Sequence, residues 1–232
     1  ACTPHGVLCA GGQDGERAYA DAFLLNWDAA TETLIQQELP DLPEPSVGGS
    51  AVWSSGAVWL WTGQTDLGAD SASRHLWRLD MDELSSGTPA AELTWTAQPD
   101  LPAHGRTMAQ MAVQHDGYDD SLYLIGGRYA DPSEEASRAA ALGLAFLDEV
   151  WQFKTSGAEG PTWRPRAPSP VPLAAGSALS FGQSHVFVLG YATGETLADA
   201  ARAGGGAPDW QQYSHPGFPR NALAYHTITD SW

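Results

Sequence analysis

The chain has 232 residues, 43% hydrophobic and 17% charged, with 25 glycines, 16 prolines and 10 tryptophans. That balance suits short strands, tight turns and aromatic packing in one large all-β domain, and excludes a disordered or long-helical chain. The net charge of −17, with no basic block, opposes a nucleic-acid backbone or an anionic membrane surface as partner.

The first apolar run, GVLCAGG at 6–12, stops at Gly11 and Gly12, and ADAFLLNWD at 20–28 reads as the next strand. LIQQELPDLPEP follows a turn and leads into SAVWSSGAVWLWTGQ at 50–64, which predicts a hairpin turning at Ser55 and Gly56 with Val58 and Leu60 on one face and Trp59 and Trp61 on the other. HLWRLDMD at 75–82 predicts the next strand, and LTWTAQPDLP at 93–102 the one after. The PDLP segments at 40–43 and 99–102 lie 59 positions apart, which marks an internal repeat.

A third unit opens with MAQMAVQHDGYDDSLYLIGG, a hairpin with a polar tip at 116–120, runs through LDEVWQFK and closes on TWRPRAPSP at 162–170. A fourth runs from SALSFGQSHVFVLGY at 177–191 and resumes at NALAYHTITDSW, 221–232. Gly11, Gly63, Gly126 and Gly190 then fall at equivalent turns, 52, 63 and 64 positions apart. An apolar run ending on glycine, an aromatic strand and a closing tryptophan is how one four-stranded propeller blade reads in sequence. The units span roughly 1–49, 50–104, 105–172 and 173–232 of a single domain. The register places the start on a unit's second strand and the end inside a blade, so the chain reads as an incomplete ring.

The stretches between the glycine turn and the next aromatic strand are unequal, and in such a fold they emerge on one face, where long ones build a site or a lid. In the third unit, 133–143 is Ala-rich and predicts a short helix; in the fourth, 198–209 is Gly- and Ala-rich loop. Cys2 and Cys9 match neither a disulfide framework nor a zinc spacing, and the seven histidines show no paired-ligand pattern, so no metal is expected. No apolar run approaches the ~20 residues needed to cross a bilayer. The chain begins at Ala1 rather than Met, which leaves the compartment open between periplasm and cytoplasm.

The recurring apolar-GG, aromatic strand and closing Trp resemble the Kelch repeat. GVLCAGG with YADAFLLNWD, GQSHVFVLG at 182–190 and above all HPGFPRNALAYHTITDSW at 215–232 resemble the cyclically permuted mutarotase family, bacterial Kelch propellers related to N-acetylneuraminate epimerase. The resemblance implies an all-β, Kelch-type β-propeller of four-stranded antiparallel blades, about four partial blades of six. The activity it implies is that of a sugar mutarotase, interconverting anomers of N-acetylneuraminate (sialic acid) with no cofactor. Two departures stand out: Tyr191 occupies the place of a second glycine, and His215, Pro216, Gly217 stand where those epimerases carry His-Glu-Gly. A noncatalytic carbohydrate- or protein-binding propeller is the alternative, since this fold hosts unrelated functions. A copper oxidase on the same scaffold would need a Tyr and His ligand set that does not assemble in this sequence.

Mutarotation needs a base for the anomeric hydroxyl and an acid for the ring oxygen, and a sialic acid carboxylate suits an Arg fork. Ten of the eleven basic residues are Arg; Lys154 is the one Lys. Arg128, directly after the double glycine, Arg106 in AHGRTMAQ, and Arg220 are the candidate substrate anchors. His104, Glu195 and His215 are the candidate catalytic groups, Glu195 at the start and His215 at the end of the longest insertion. HPGFPR also reads as a rigid turn, with its two prolines limiting the backbone and Phe218 packed beneath it. His185 and His226 fall in strand-like runs and are expected to be structural, as are most of the repeated tryptophans.

Overall fold

The structure is a computed structural model that describes residues 1–68, 71–130, 144–158, 160–194 and 218–232. It is all-β, built from antiparallel sheets whose strands follow one another in chain order. The first sheet holds β1 (Cys2–Thr3), β2 (Gly6–Ala10), β3 (Ala22–Asp28) and β4 (Thr33–Glu38). The repeat register started the chain on a second strand. Instead, β1 pairs Cys2 with Val7 and Thr3 with Gly6, which completes four strands; two residues are too few to show a period-2 pattern.

The second sheet holds β5 (Ser50–Ser54), β6 (Ala57–Trp61), β7 (Leu76–Asp80) and β8 (Trp95–Ala97). Its hairpin turns at Ser55 and Gly56, as expected, with φ of 50° and 74°. Two positive φ values make the turn whose twist matches the flanking strands, which is why a glycine stands there. All five residues of β6 are buried, so both of its alternating faces are covered. β7 ends at Asp80, two residues short of the predicted strand, because Asp82–Ser85 turns into α1, a single helical turn.

The third sheet orders β9 (Gln110–His115), β10 (Asp120–Ile125), β13 (Val150–Lys154) and β14 (Thr162–Arg166). Between β10 and β13, β11 (Arg128–Ala130) and β12 (Leu144–Phe146) pair as a separate two-stranded arm. A three-stranded sheet of β15 (Ser177–Phe181), β16 (His185–Leu189) and β17 (Leu223–His226) completes the described strands. The helix expected at 133–143 and the loop at 198–209 lie outside the described residues.

The double glycines explain the repeat physically. Gly11 donates its N–H to Asp21 O and Gly12 to Ser46 O; in the third sheet Gly126 donates to Glu149 O and Gly127 to Leu173 O. Each pair thus ties the end of one strand to the start of the next and to the segment entering the following sheet. All four residues have positive φ, and a Cβ at Gly11 or Gly126 would overlap the carbonyl oxygen of Ser46 or Leu173.

The chain divides into two compact units, Ala1–Thr107 and Met108–Trp232. In the first, Leu8 and Leu24 pack with Val58, Leu60, Leu79 and Trp95; in the second, Tyr123, Ile125 and Val150 pack with Val186, Val188 and Tyr225. Each such aliphatic side chain, fully buried, contributes about 1.5–3 kcal/mol. Two of the repeated tryptophans tie segments together. Trp95 donates to Pro40 O in the first PDLP segment at 2.9 Å, and Trp61 to Arg106 O at 2.8 Å.

Candidate functional site

In the first unit, the segment leaving β4, the end of β6 and the start of β7 meet at one carboxylate. Glu44 Oε1 accepts the Thr62 hydroxyl at 2.8 Å, the Trp77 indole N–H at 3.2 Å and the Ser73 hydroxyl at 3.4 Å, and lies 2.7 Å from His75 Nδ1. An ionised carboxylate only accepts, so Nδ1 is the donor, and in the neutral ring the outward Nε2 carries the lone pair. Trp77 also donates to Thr62 Oγ1 at 3.2 Å, and Ser73 Oγ accepts the His75 N–H at 3.0 Å, so the ring is held from several sides.

The outer side is open. The His75 side chain is 44% exposed against 19% for Glu44. Nε2 lies 4.0 Å from Asp100 Oδ1, beyond hydrogen-bond reach, and Asp100 Oδ2 lies 3.7 Å from Arg74. A fixed imidazole with a bare nitrogen, flanked by an acceptor and a cation, is equipped to take a proton from a bound hydroxyl. Motif spacing does not reveal this group, because Glu44 and His75 are 31 positions apart. The two repeat copies carry the usable signal, PDLPEP in one and PDLPAH in the other, with Glu44 replaced by Ala103.

A cavity of about 380 Å³ in the same unit is lined by Cys9, Gly11, Gly12, Ser46, Gly49 and neighbouring small or apolar residues. It holds no Asp, Glu, His, Lys or Arg side chain, unlike the Glu44 group. The two are linked through Ser46, which donates to Thr62 O at 2.7 Å.

Among the residues singled out by sequence, His104 and Arg106 touch: Arg106 Nε donates to His104 O at 3.2 Å. His104 is exposed, whereas Arg106 has no exposed surface and donates its backbone N–H to Ser73 O. Both belong to the first unit. In the second, Arg128 opens β11 opposite Phe146 and is half-buried, and that burial pushes its guanidinium pKa down. Arg220 is exposed in the segment before β17. Phe218 is 50% exposed, and residues 215–217 of the turn it is expected to pack beneath lie outside the described residues. Glu195 and His215 lie outside the described residues.

A second carboxylate hub holds the polar tip of β9 and β10. Asp116 Oδ1 accepts the N–H groups of Tyr118 and Asp119, and Oδ2 lies 2.6 Å from both Lys154 Nζ and Gln152 Nε2. Burial opposes its charge, but the bonds from Lys154, the two backbone N–H groups and Gln152 outweigh burial and hold its carboxyl below the usual range. Gln152 Oε1 in turn accepts Arg166 Nε at 2.8 Å.

YHTITDSW is a closing device. Asp230 Oδ1 accepts the Tyr225 hydroxyl at 2.6 Å and the Ala167 N–H at 2.7 Å, and Trp232 donates to Ala167 O at 3.0 Å. His226 pairs with His185 across β16 and β17 and accepts the Thr229 N–H at Nδ1, a structural part as expected. Among the described residues, no group of three or more His, Cys, Asp or Glu is placed to hold a metal ion, and no helix is long and apolar enough to cross a membrane.

No family model and no curated protein matches the chain. Among solved structures it is similar to that of YjhT, at 18% identity and a TM-score of 0.51, over 74% of this chain and 45% of the YjhT chain. The likeness is one of fold, and the chain spans less than half of that neighbour's length.

Proposed function

We propose that the chain forms part of a Kelch-type β-propeller and serves as a sugar mutarotase, with N-acetylneuraminate the substrate that the sequence resemblance implies. The observation carrying this reading is the coincidence of resemblance and fold. GVLCAGG is β2 with its glycine turn, GQSHVFVLG is the turn and strand of β16, and NALAYHTITDSW is β17 with its closing turn. Consecutive antiparallel sheets of up to four strands and the likeness to YjhT support the same architecture.

In this reading a base takes the anomeric hydroxyl proton, the ring opens, and an acid protonates the ring oxygen. Arg128 and Arg220 hold the sugar carboxylate. Arg106, with no exposed surface, steadies the His104 segment rather than touching sugar. Glu195 and His215 supply the proton transfers. Anomer exchange of N-acetylneuraminate, followed by proton NMR, tests the reading. The wild-type chain should accelerate exchange, and Arg220→Ala should slow it by ~10-fold or more while leaving the melting temperature nearly unchanged, as befits an exposed side chain. Sugar binding with no exchange would instead favour a noncatalytic carbohydrate-binding propeller, and unchanged exchange in the variant would remove Arg220 from the mechanism.

A further inference from the structure

We propose that Glu44 and His75 form a proton-transfer pair acting on a neutral reducing sugar, with Asp100 and Arg74 as the rim that binds its hydroxyls. The proposal rests on the mutarotase reading for the type of reaction and goes beyond it in both site and substrate class.

Glu44 is the positioning residue. Its Oε1 already accepts from Thr62 and Trp77, and at 2.7 Å it directs the His75 Nδ1–H inward, so Nε2 presents a lone pair on a side chain 44% exposed. The groups facing this imidazole are Glu44 from the segment entering β5, Asp100 from the segment leaving β8, and the Trp77 ring, edge-on at 6.1 Å. Arg74 stands beside Asp100.

The spacing selects the ligand. Nε2 and Asp100 Oδ1 are both acceptors, 4.0 Å apart. One hydroxyl carries a single proton and satisfies only one of them, whereas two neighbouring hydroxyls of a sugar ring satisfy both. An aldose offers that pair as its anomeric hydroxyl and the one on the next carbon. N-acetylneuraminate instead carries a carboxylate on its anomeric carbon and no hydroxyl on the ring carbon next to it, so it offers no such pair.

The step balances. His75 Nε2 takes the proton of the anomeric hydroxyl, whose oxygen forms the carbonyl. The bond from the anomeric carbon to the ring oxygen breaks, its electron pair stays on that oxygen, and a solvent water protonates it. Closure runs the same transfers backwards on the other carbonyl face: the resulting hydroxide takes the chain hydroxyl proton and the imidazolium protonates the new anomeric oxygen.

The test measures anomer exchange of glucose, galactose and N-acetylneuraminate by the wild-type chain, His75→Gln and Asp100→Asn, with melting temperatures as the folding control. Aldose exchange should be saturable in the wild type. His75→Gln should lower kcat by ~100-fold and leave KM within about threefold. Asp100→Asn, a change at a half-exposed rim residue, should raise the aldose KM by roughly tenfold with kcat nearly kept. Aldose exchange that survives both substitutions overturns the proposal. Exchange of N-acetylneuraminate without aldoses overturns it and leaves the proposed function standing, while no exchange of any of the three overturns both.

Discussion

Glu44 and Asp116 are the same device put to two uses. Each is a carboxylate in a connecting segment that gathers donors from strands far away in sequence. Asp116 gathers backbone N–H groups, Gln152 and Lys154, with side-chain exposures of 3% for Asp116 and 17% for Lys154. Glu44 gathers side chains only, and one of them, His75, keeps its far nitrogen in solvent. The Asp116 hub uses all its donors to hold a hairpin tip; the Glu44 hub holds one group ready to exchange a proton. Access to solvent, more than the number of bonds, separates a structural lock from a reactive site.

The sharpest way to break this comparison is to remove Asp116. Asp116→Ala leaves the Lys154 ammonium with no carboxylate partner at Asp116 and should cost about 3–5 kcal/mol in denaturant unfolding. A loss no larger than that of an ordinary surface change would make it just another ion pair. The pH dependence comes next. Asp116 binds its proton at lower pH in the folded state than the ~3.9 of an unfolded aspartate, so its contribution is full above about pH 5 and drains away as pH falls below about 4. Stability measured between pH 5 and pH 2 should therefore fall less steeply in Asp116→Asn than in the wild type.

For Glu44, which is partly exposed, Glu44→Gln keeps an amide oxygen to accept the Thr62 hydroxyl and the Trp77 N–H and should cost only about 1 kcal/mol. His75→Gln, at the open end of that hub, should shift stability by no more than about 0.5 kcal/mol. A large loss in either would move this hub into the structural class beside Asp116.

What the sequence disclosed were local signals with a backbone cause. Ser55-Gly56 reads as a tight hairpin turn because only certain residues accept positive φ, and the GG pairs read as repeats because each closes the same two backbone bonds. β1 stayed hidden because a two-residue strand has no pattern. The half exposure of Phe218 is not legible in HPGFPR, because proline and glycine constrain a backbone without saying what lies under it. The place of Arg128 after Gly127 is legible in the sequence, but its half-burial opposite Phe146 is not. The Glu44 and His75 pair has no local signature because it is made by tertiary contact between a loop and a strand end; the change from PDLPEP to PDLPAH is the one trace of it in the sequence.

The most direct test of the account is the tautomer of His75, read from long-range proton–nitrogen correlations of the neutral ring in the wild type and in Glu44→Gln. A proton on Nδ1 and a bare Nε2 in the wild type, giving way to a mixture of tautomers in the variant, is the result expected. A proton resident on Nε2 in the wild type would contradict it, because the nitrogen facing Asp100 would then have no lone pair with which to accept from a sugar.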